Sequence, residues 1–270
     1  MALFGSDAFS PAEIAARVEE AGIAKTRLPL LSLVLLGVLA GAFIALGSLY
    51  YVVVVSDPGL GWAARRVLGG VVFSLGLLLV VVAGAELFTG NNLLAMAWAE
   101  GRVSTRSVLF NWLVVCIANF AGALGVAMLV FLSGHLEANS GAIGRTYASI
   151  AAAKTSLPWH VAFVSGILCN VLVCLAVWMS LAGRSVVDKF IAIVFPVSAF
   201  VAAGFEHSVA NMYLIPLAML QDLGAGKAVE PALLLGNLLP VIAGNLIGGS
   251  VLVAVVYYVI YRRPGVRPPA

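Results

Sequence analysis

Six long apolar runs fix what this chain can fold into: Leu28–Val55, Val67–Ala99, Val108–Leu132, Leu157–Leu181, Phe190–Leu220 and Ala232–Tyr261. Each is near or above the roughly 20 residues that a helix needs to cross a bilayer. Charged residues make up 10% of the chain and hydrophobic residues 62%, whereas a soluble domain carries about 25% charged residues. Hydrocarbon offers no partner to a backbone N–H or C=O, so such runs must be helical. The expected product is an all-α integral membrane protein with one six-span domain over 28–262. A cytoplasmic N-terminal amphipathic segment, 1–27, precedes it, and a short cytoplasmic tail, 263–270, follows.

The connectors carry breakers, such as Ser56-Asp57-Pro58-Gly59 and the Asp222–Pro231 stretch, and the longest runs from Ser133 to Ser156. Alternate connectors fall on opposite faces. Ten Lys and Arg lie on the face of the termini and five on the other, which puts both termini in the cytoplasm. The first 27 residues hold Asp7, Glu13, Glu19 and Glu20 and lack an apolar core, so they do not read as a signal peptide. Ser10-Pro11-Ala12-Glu13 is a helix-start signal. Ile14, Val18 and Ile23 continue it as a short amphipathic helix ending near Gly22, on the membrane surface or under a channel mouth. Cys116, Cys169 and Cys174 sit singly in apolar runs. They read as small buried hydrophobes, with no disulfide framework, metal site or cofactor implied.

The second half repeats the first. Leu28-Pro29 and Gly37 match Leu157-Pro158 and Gly166 at an offset of 129. Gly84, Glu86 and Asn91 match Gly204, Glu206 and Asn211 at 120, and Asn111, Asn119 and Gly122 match Asn237, Asn245 and Gly248 at 126. The halves are about 28–132 and 157–261. Each holds an odd number of spans, so they must be inverted relative to one another, an arrangement common in transporters. Spans two and five carry polar, Gly-containing interruptions at matching places and are expected to be broken helices, tolerated only where protein or a cavity surrounds them. The simplest role for Glu86 and Glu206 is structural: carboxylates satisfying free N–H groups where a half-helix restarts. Asn91, Asn211, Asn119 and Asn245 read as interhelical hydrogen-bond glue.

The symmetry breaks are more telling. His207 aligns with Leu87, Asn170 with Gly41, and Thr89 with Val209. Ionisable or polar groups inside a span mark function unless the fold demands them, and His207 also titrates near physiological pH. Lys154, just before span four, reads on its own as an interfacial lysine.

These motifs resemble the formate/nitrite transporter family. The likeness is densest at Gly84–Gly90, Asn111–Gly122, Trp178–Ser185 and Gly204–Met212, and Tyr213-Leu214-Ile215-Pro216 looks closest to the formate-channel branch. It implies an aquaporin-like six-span fold, a homopentamer with one pore per protomer, and residence in the bacterial inner membrane. It assigns His207, Thr89 and Asn170 to the pore, and makes Lys154 a vestibule lysine held near Glu206 and Asn211. Two apolar constrictions match Phe73 and Phe200 on the outer side, and Leu77, Leu87 and Phe88 toward the cytoplasm. The segment 10–24 resembles the family's pH-responsive cap.

The expected function is passage of formate as the anion, or with a proton as formic acid. Burial disfavours the charged form, Lys154 would raise the local anion concentration, and His207 would donate a hydrogen bond or proton. Nitrite or hydrosulfide suits the same site. An intramembrane enzyme built on His207 with Glu206 or Ser208 is the remote alternative; there is no GxSxG or HExxH. A pure scaffold predicts no flux. Nothing points to nucleic acid; the partners are the lipid bilayer and the small anion.

Overall fold

The computed structural model describes residues 8–263. Within them the named elements of regular structure are helices. A helix on the termini-bearing face, α1 (Pro11–Thr26), leads into the spans. These are α2 (Leu30–Val55), α3 (Trp62–Gly84), α5 (Thr105–Leu132), α7 (Trp159–Ser180), α8 (Val186–Ala203) and α10 (Pro231–Tyr261). Three shorter helices, α4 (Leu94–Ala99), α6 (Ala142–Thr155) and α9 (Ser208–Gly224), complete the set. Large apolar side chains such as Leu31, Leu113 and Phe195 point outward, away from the rest of the chain. Small residues line the contacts within it.

Glycine decides the closest of those contacts. Gly41 and Gly122 sit where α2 crosses α5, and a Cβ on either would run into the backbone carbonyl of Asn119 or Val38. Gly244 and Gly248 do the same where α10 crosses α7. Such approach gains dispersion contact without a hydrophobic driving force, the usual basis of helix packing in lipid.

Two long runs divide. Val67–Ala99 is not one helix: α3 starts earlier, at Trp62, and stops at Gly84, and helical geometry resumes at Gly90. Phe190–Leu220 starts earlier too, at Val186, leaves the helix after Ala203, and resumes at Ser208. Gly84 and Gly204 have φ of 86° and 78°. That left-handed conformation ends a helix and is cheap only without a Cβ. The Ser133–Ser156 connector contains the 14-residue α6.

The first helix runs to Thr26 rather than ending near Gly22. Gly22 is a contact glycine here and stops nothing: a Cβ on it would lie 3.3 Å from that of Ala97. Helix α1 packs under the spans with Ile14, Ala15 and Val18 buried. Its buried Glu19 carboxylate is gripped by Arg102 at 2.8 Å and Arg262 at 2.7 Å. Phe9 donates its N–H to Ala182 O at 3.0 Å, and its ring lies under Arg17 and Arg184. Both ends of the described chain are thus tied to one face. The expected tail 263–270 lies, apart from Arg263, outside the described residues, as do residues 1–7 of the N-terminal segment.

Candidate functional site

A break in a membrane helix frees both N–H and C=O groups, each costing several kcal/mol if left bare. One asparagine serves each break. Asn119, from α5, accepts from Phe88 N–H at 2.8 Å and donates to Glu86 O at 2.9 Å and Gly37 O at 2.7 Å. Asn245, from α10, accepts from Ser208 N–H at 3.0 Å and donates to Glu206 O at 3.1 Å and Gly166 O at 2.8 Å. The glutamates were expected to take those N–H groups and do not. A carboxylate only accepts, whereas a break needs a donor as well, and an amide supplies both.

That leaves Glu86 and Glu206 free to hold cations. Lys154, in the last turn of α6, donates to Glu206 Oε1 at 2.7 Å. Asn211 donates to Glu206 Oε2 and to Asn237 Oδ1, both at 2.7 Å, and Asn237 donates back to Lys154 O at 2.9 Å. The other half builds the same ring around a lysine that sequence reasoning passed over. Lys25, in the last turn of α1, donates to Glu86 Oε1 at 2.6 Å. Asn91 donates to Glu86 Oε2 at 2.7 Å and to Asn111 Oδ1 at 2.9 Å, and Asn111 Nδ2 lies 3.5 Å from Lys25 O. Each lysine sits where the negative end of its helix dipole favours a cation. The signal was present: Lys25-Thr26-Arg27-Leu28-Pro29 lies 129 residues before Lys154-Thr155-Ser156-Leu157-Pro158.

Each cluster lines its own cavity. One, of about 260 Å³, is bounded by Lys154, Glu206, Asn211, His207, Phe73 and Phe200. The other, of about 590 Å³ on the face of the termini, is bounded by Lys25, Glu86, Asn91, Leu77 and Leu87. Between them lies a pinched space of about 10 Å³, lined by Phe73, Leu77, Leu87, Phe200 and His207, together with Ile44, Val173 and Val197. So Phe73 and Phe200 separate the middle space from the Lys154 cavity, and Leu77 and Leu87 separate it from the Lys25 cavity. Phe88 is buried and borders neither; its backbone belongs to the Asn119 tie.

His207 caps α9. Its Nδ1 accepts from Ala210 N–H at 3.1 Å, so the ring proton of the neutral imidazole sits on Nε2. Nε2 faces Thr89 Oγ1 at 3.2 Å, across the two breaks. Phe200 stacks on the ring at 5.8 Å between centroids, and Phe73 meets it edge-on at 6.4 Å. The result is one polar N–H in an apolar collar. A second ring proton would displace the cap. Asn170 lies behind this point. Its Nδ2 reaches Asn92 Oδ1 and Asn245 O, both at 2.7 Å, and Thr89 O at 3.2 Å, tying the two breaks together. Asn170 Oδ1 has no hydrogen-bond partner among the described residues.

Six spans enclosing two polar vestibules that meet at an apolar pinch define a membrane transport protein. A sequence model of the formate/nitrite transporter family matches residues 12–259. The chain is 39% identical to the formate channel FocA of Escherichia coli K12, over 95% of this chain and 96% of that one. It is 42% identical to the uncharacterized transporter YrhG of Bacillus subtilis 168, over 94% of each. Among solved structures it resembles a pentameric formate channel with formate bound, with a TM-score of 0.79 and 33% identity over 86% of this chain and 97% of that one. It also resembles an FNT family ion channel, with a TM-score of 0.82 and 30% identity over 92% and 98%. The chain belongs to the formate/nitrite transporter family.

Proposed function

We propose that this protein conducts formate across the cytoplasmic membrane as one of five protomers, each with its own path. The spans form an inverted 3+3 repeat of aquaporin-like shape with broken second and fifth helices, and both termini lie in the cytoplasm. The observation that carries the reading is the series of spaces that share walls: a lysine–glutamate vestibule, an apolar collar with a single N–H, and a second lysine–glutamate vestibule.

The vestibule lysines draw an anion in by charge. The collar then opposes it, because removing a carboxylate from water costs several kcal/mol even after relaxation. His207 Nε2–H supplies the hydrogen bond that offsets part of that cost, and Thr89 Oγ1 offers a second polar contact beside it. Formate can cross the pinch neutralised or nearly so, because a low dielectric favours the protonated acid. Asn170 acts from behind, holding the two breaks at the spacing that sets His207 against Thr89. Relatives that bear the name formate channel support the choice of anion.

Labelled formate uptake into proteoliposomes at two pH values, beside His207→Asn, tests this. Asn keeps the helix cap but replaces the ring donor. Formate flux should fall by about tenfold, the loss expected for one hydrogen bond to a charged group, and its pH dependence should change. Flux equal to wild type in size and pH dependence would remove His207 from the mechanism. Nitrite or hydrosulfide outcompeting formate would change the physiological anion.

A further inference from the structure

The mouth opposite the termini holds more positive charge than Lys154 accounts for. Arg65 and Arg66 open α3 and Arg145 rides on α6. None of the three has a carboxylate within salt-bridge distance among the described residues. With Ser56, Thr146 and Ser149 they line an antechamber of about 510 Å³. Arg66 also lines the 260 Å³ cavity that holds Lys154 and His207, so one arginine forms part of the wall of both spaces.

The Arg66 guanidinium lies against the end of α8. A Cβ on Gly204 would stand 2.5 Å from its Nη2, so the glycine that ends α8 also makes room for the guanidinium. Arg66 Nε is buried and has no hydrogen-bond partner among the described residues. The Trp62 ring lies 5.8 Å from the guanidinium carbon. Arg66 as a whole is half-buried, so its side chain stays open to acceptor oxygens from the two cavities it lines. A guanidinium offers parallel N–H groups matched to two oxygens, whereas an ammonium acts as a point charge.

We infer that Arg66 is a further anion-binding and specificity-determining residue, a fork for the two oxygens of a small carboxylate between the antechamber and Lys154. The inference rests on the anion-transport reading above. It makes the outer mouth favour two-oxygen anions over single-atom anions such as hydrosulfide, and gives Arg65 and Arg145 the lesser task of concentrating any anion. Formate and nitrite are not separated by this fork.

The experiment measures concentration-dependent formate and hydrosulfide flux from the Arg66 side of proteoliposomes. Arg66→Lys keeps the charge and loses the fork. Its KM for formate should rise about tenfold while kcat and the KM for hydrosulfide stay close to wild type. An unchanged formate KM, or an equal rise for both anions, overturns the assignment. Arg145→Gln removes charge from the exposed rim without touching the break and should raise both KM values alike; a loss confined to formate there would move the fork to Arg145 and overturn the role of Arg66. Absence of flux of either anion in the wild type refutes the transport reading itself.

Fluorescence gives a check independent of flux. Formate titrated into the solubilised wild-type protein should change tryptophan emission saturably. The change should vanish in Trp62→Phe and weaken in Arg66→Lys. A full response in Arg66→Gln would overturn the proposal.

Discussion

The Lys25 cluster and the Lys154 cluster are built from the same parts and do not end in the same state. Each has a lysine from the last turn of a short helix, a glutamate at a helix break and two asparagines. In the first, Asn91 Oδ1 also accepts from Lys25 Nζ at 3.0 Å. In the second, Asn211 Oδ1 has no partner among the described residues, so Lys154 makes one such contact fewer. The Lys154 side chain is 16% exposed and that of Lys25 is 30% exposed. Beyond the clusters the difference widens: His207 occupies the position after Glu206, and Leu87 the one after Glu86. The parts that satisfy backbone and charge are duplicated, and the imidazole that lines the pinch is present once. On the proposed reading, what the two halves share is scaffold and what they do not share is path.

The largest expected effect tests the shared part. Asn119→Leu and Asn245→Leu each orphan two backbone groups at a break and remove a second bond from a helical carbonyl, that of Gly37 or Gly166. At about 1–3 kcal/mol per orphaned group, either should lower the melting temperature by about 10 °C or more, or leave little folded protein in detergent. Thermal unfolding of the two variants side by side checks this. A tolerated substitution at one site and not the other would break the equivalence of the two ties.

The lysines should then separate the halves. Lys154→Met leaves the Glu206 carboxylate, 5% exposed, without its cation, which should cost about 3–5 kcal/mol as for a broken buried pair. The Glu86 carboxylate is nearly as buried, at 8%, but Lys25 is more open to water, so Lys25→Met should cost less, about 3 kcal/mol at the lower end of that range. Unfolding midpoints measure the difference, and the KM for anion entering from each side tells whether the less engaged ammonium also binds solute more strongly. Equal destabilisation would mean that the extra contact of Lys25 and the deeper setting of Lys154 cancel.

Much of this was legible because lipid makes polarity informative. A glutamate or asparagine within a span must have a reason, so Glu86, Asn91, Glu206, Asn211 and His207 stood out, and the repeat grouped them. The reverse condition hid the rest. Ile44, Val173 and Val197 line the pinch but sit in runs where every neighbour is apolar, and nothing in sequence marks which faces inward. Lys25 and Arg66 looked like ordinary charges at span ends, because the aqueous boundary permits lysine and arginine without cause. Only the folding of α1 and α6 against the breaks gives the two lysines a purpose. The glutamates were noticed for the right reason and given the wrong partner: hydropathy shows that a carboxylate needs compensation and does not show which donor is near.

The smallest effect concerns how the two lysine-bearing helices begin. Helix α6 starts at Gly141 with φ of 74° and no side-chain cap. Helix α1 starts with a full capping box: Glu13 accepts from Ser10 N–H at 2.7 Å, and Ser10 Oγ accepts from Glu13 N–H at 3.4 Å. The backbone N–H of Ser10, followed by its hydroxyl, holds the Glu13 carboxyl below its ordinary value, and Arg184 and Arg17 nearby add to this. A depressed folded-state pKa contributes stability that is present above the ordinary carboxylate range and is lost as pH falls through the depressed value. The start of α1 should therefore loosen on acidification while the start of α6 does not. Ser10→Ala should cost α1 about 1 kcal/mol and flatten that difference at neutral pH. Amide hydrogen exchange in the first turns of both helices, followed from pH 7 downward, measures it. Loosening of α6 in step with α1 would mean that acid acts on the two ends through something other than this cap.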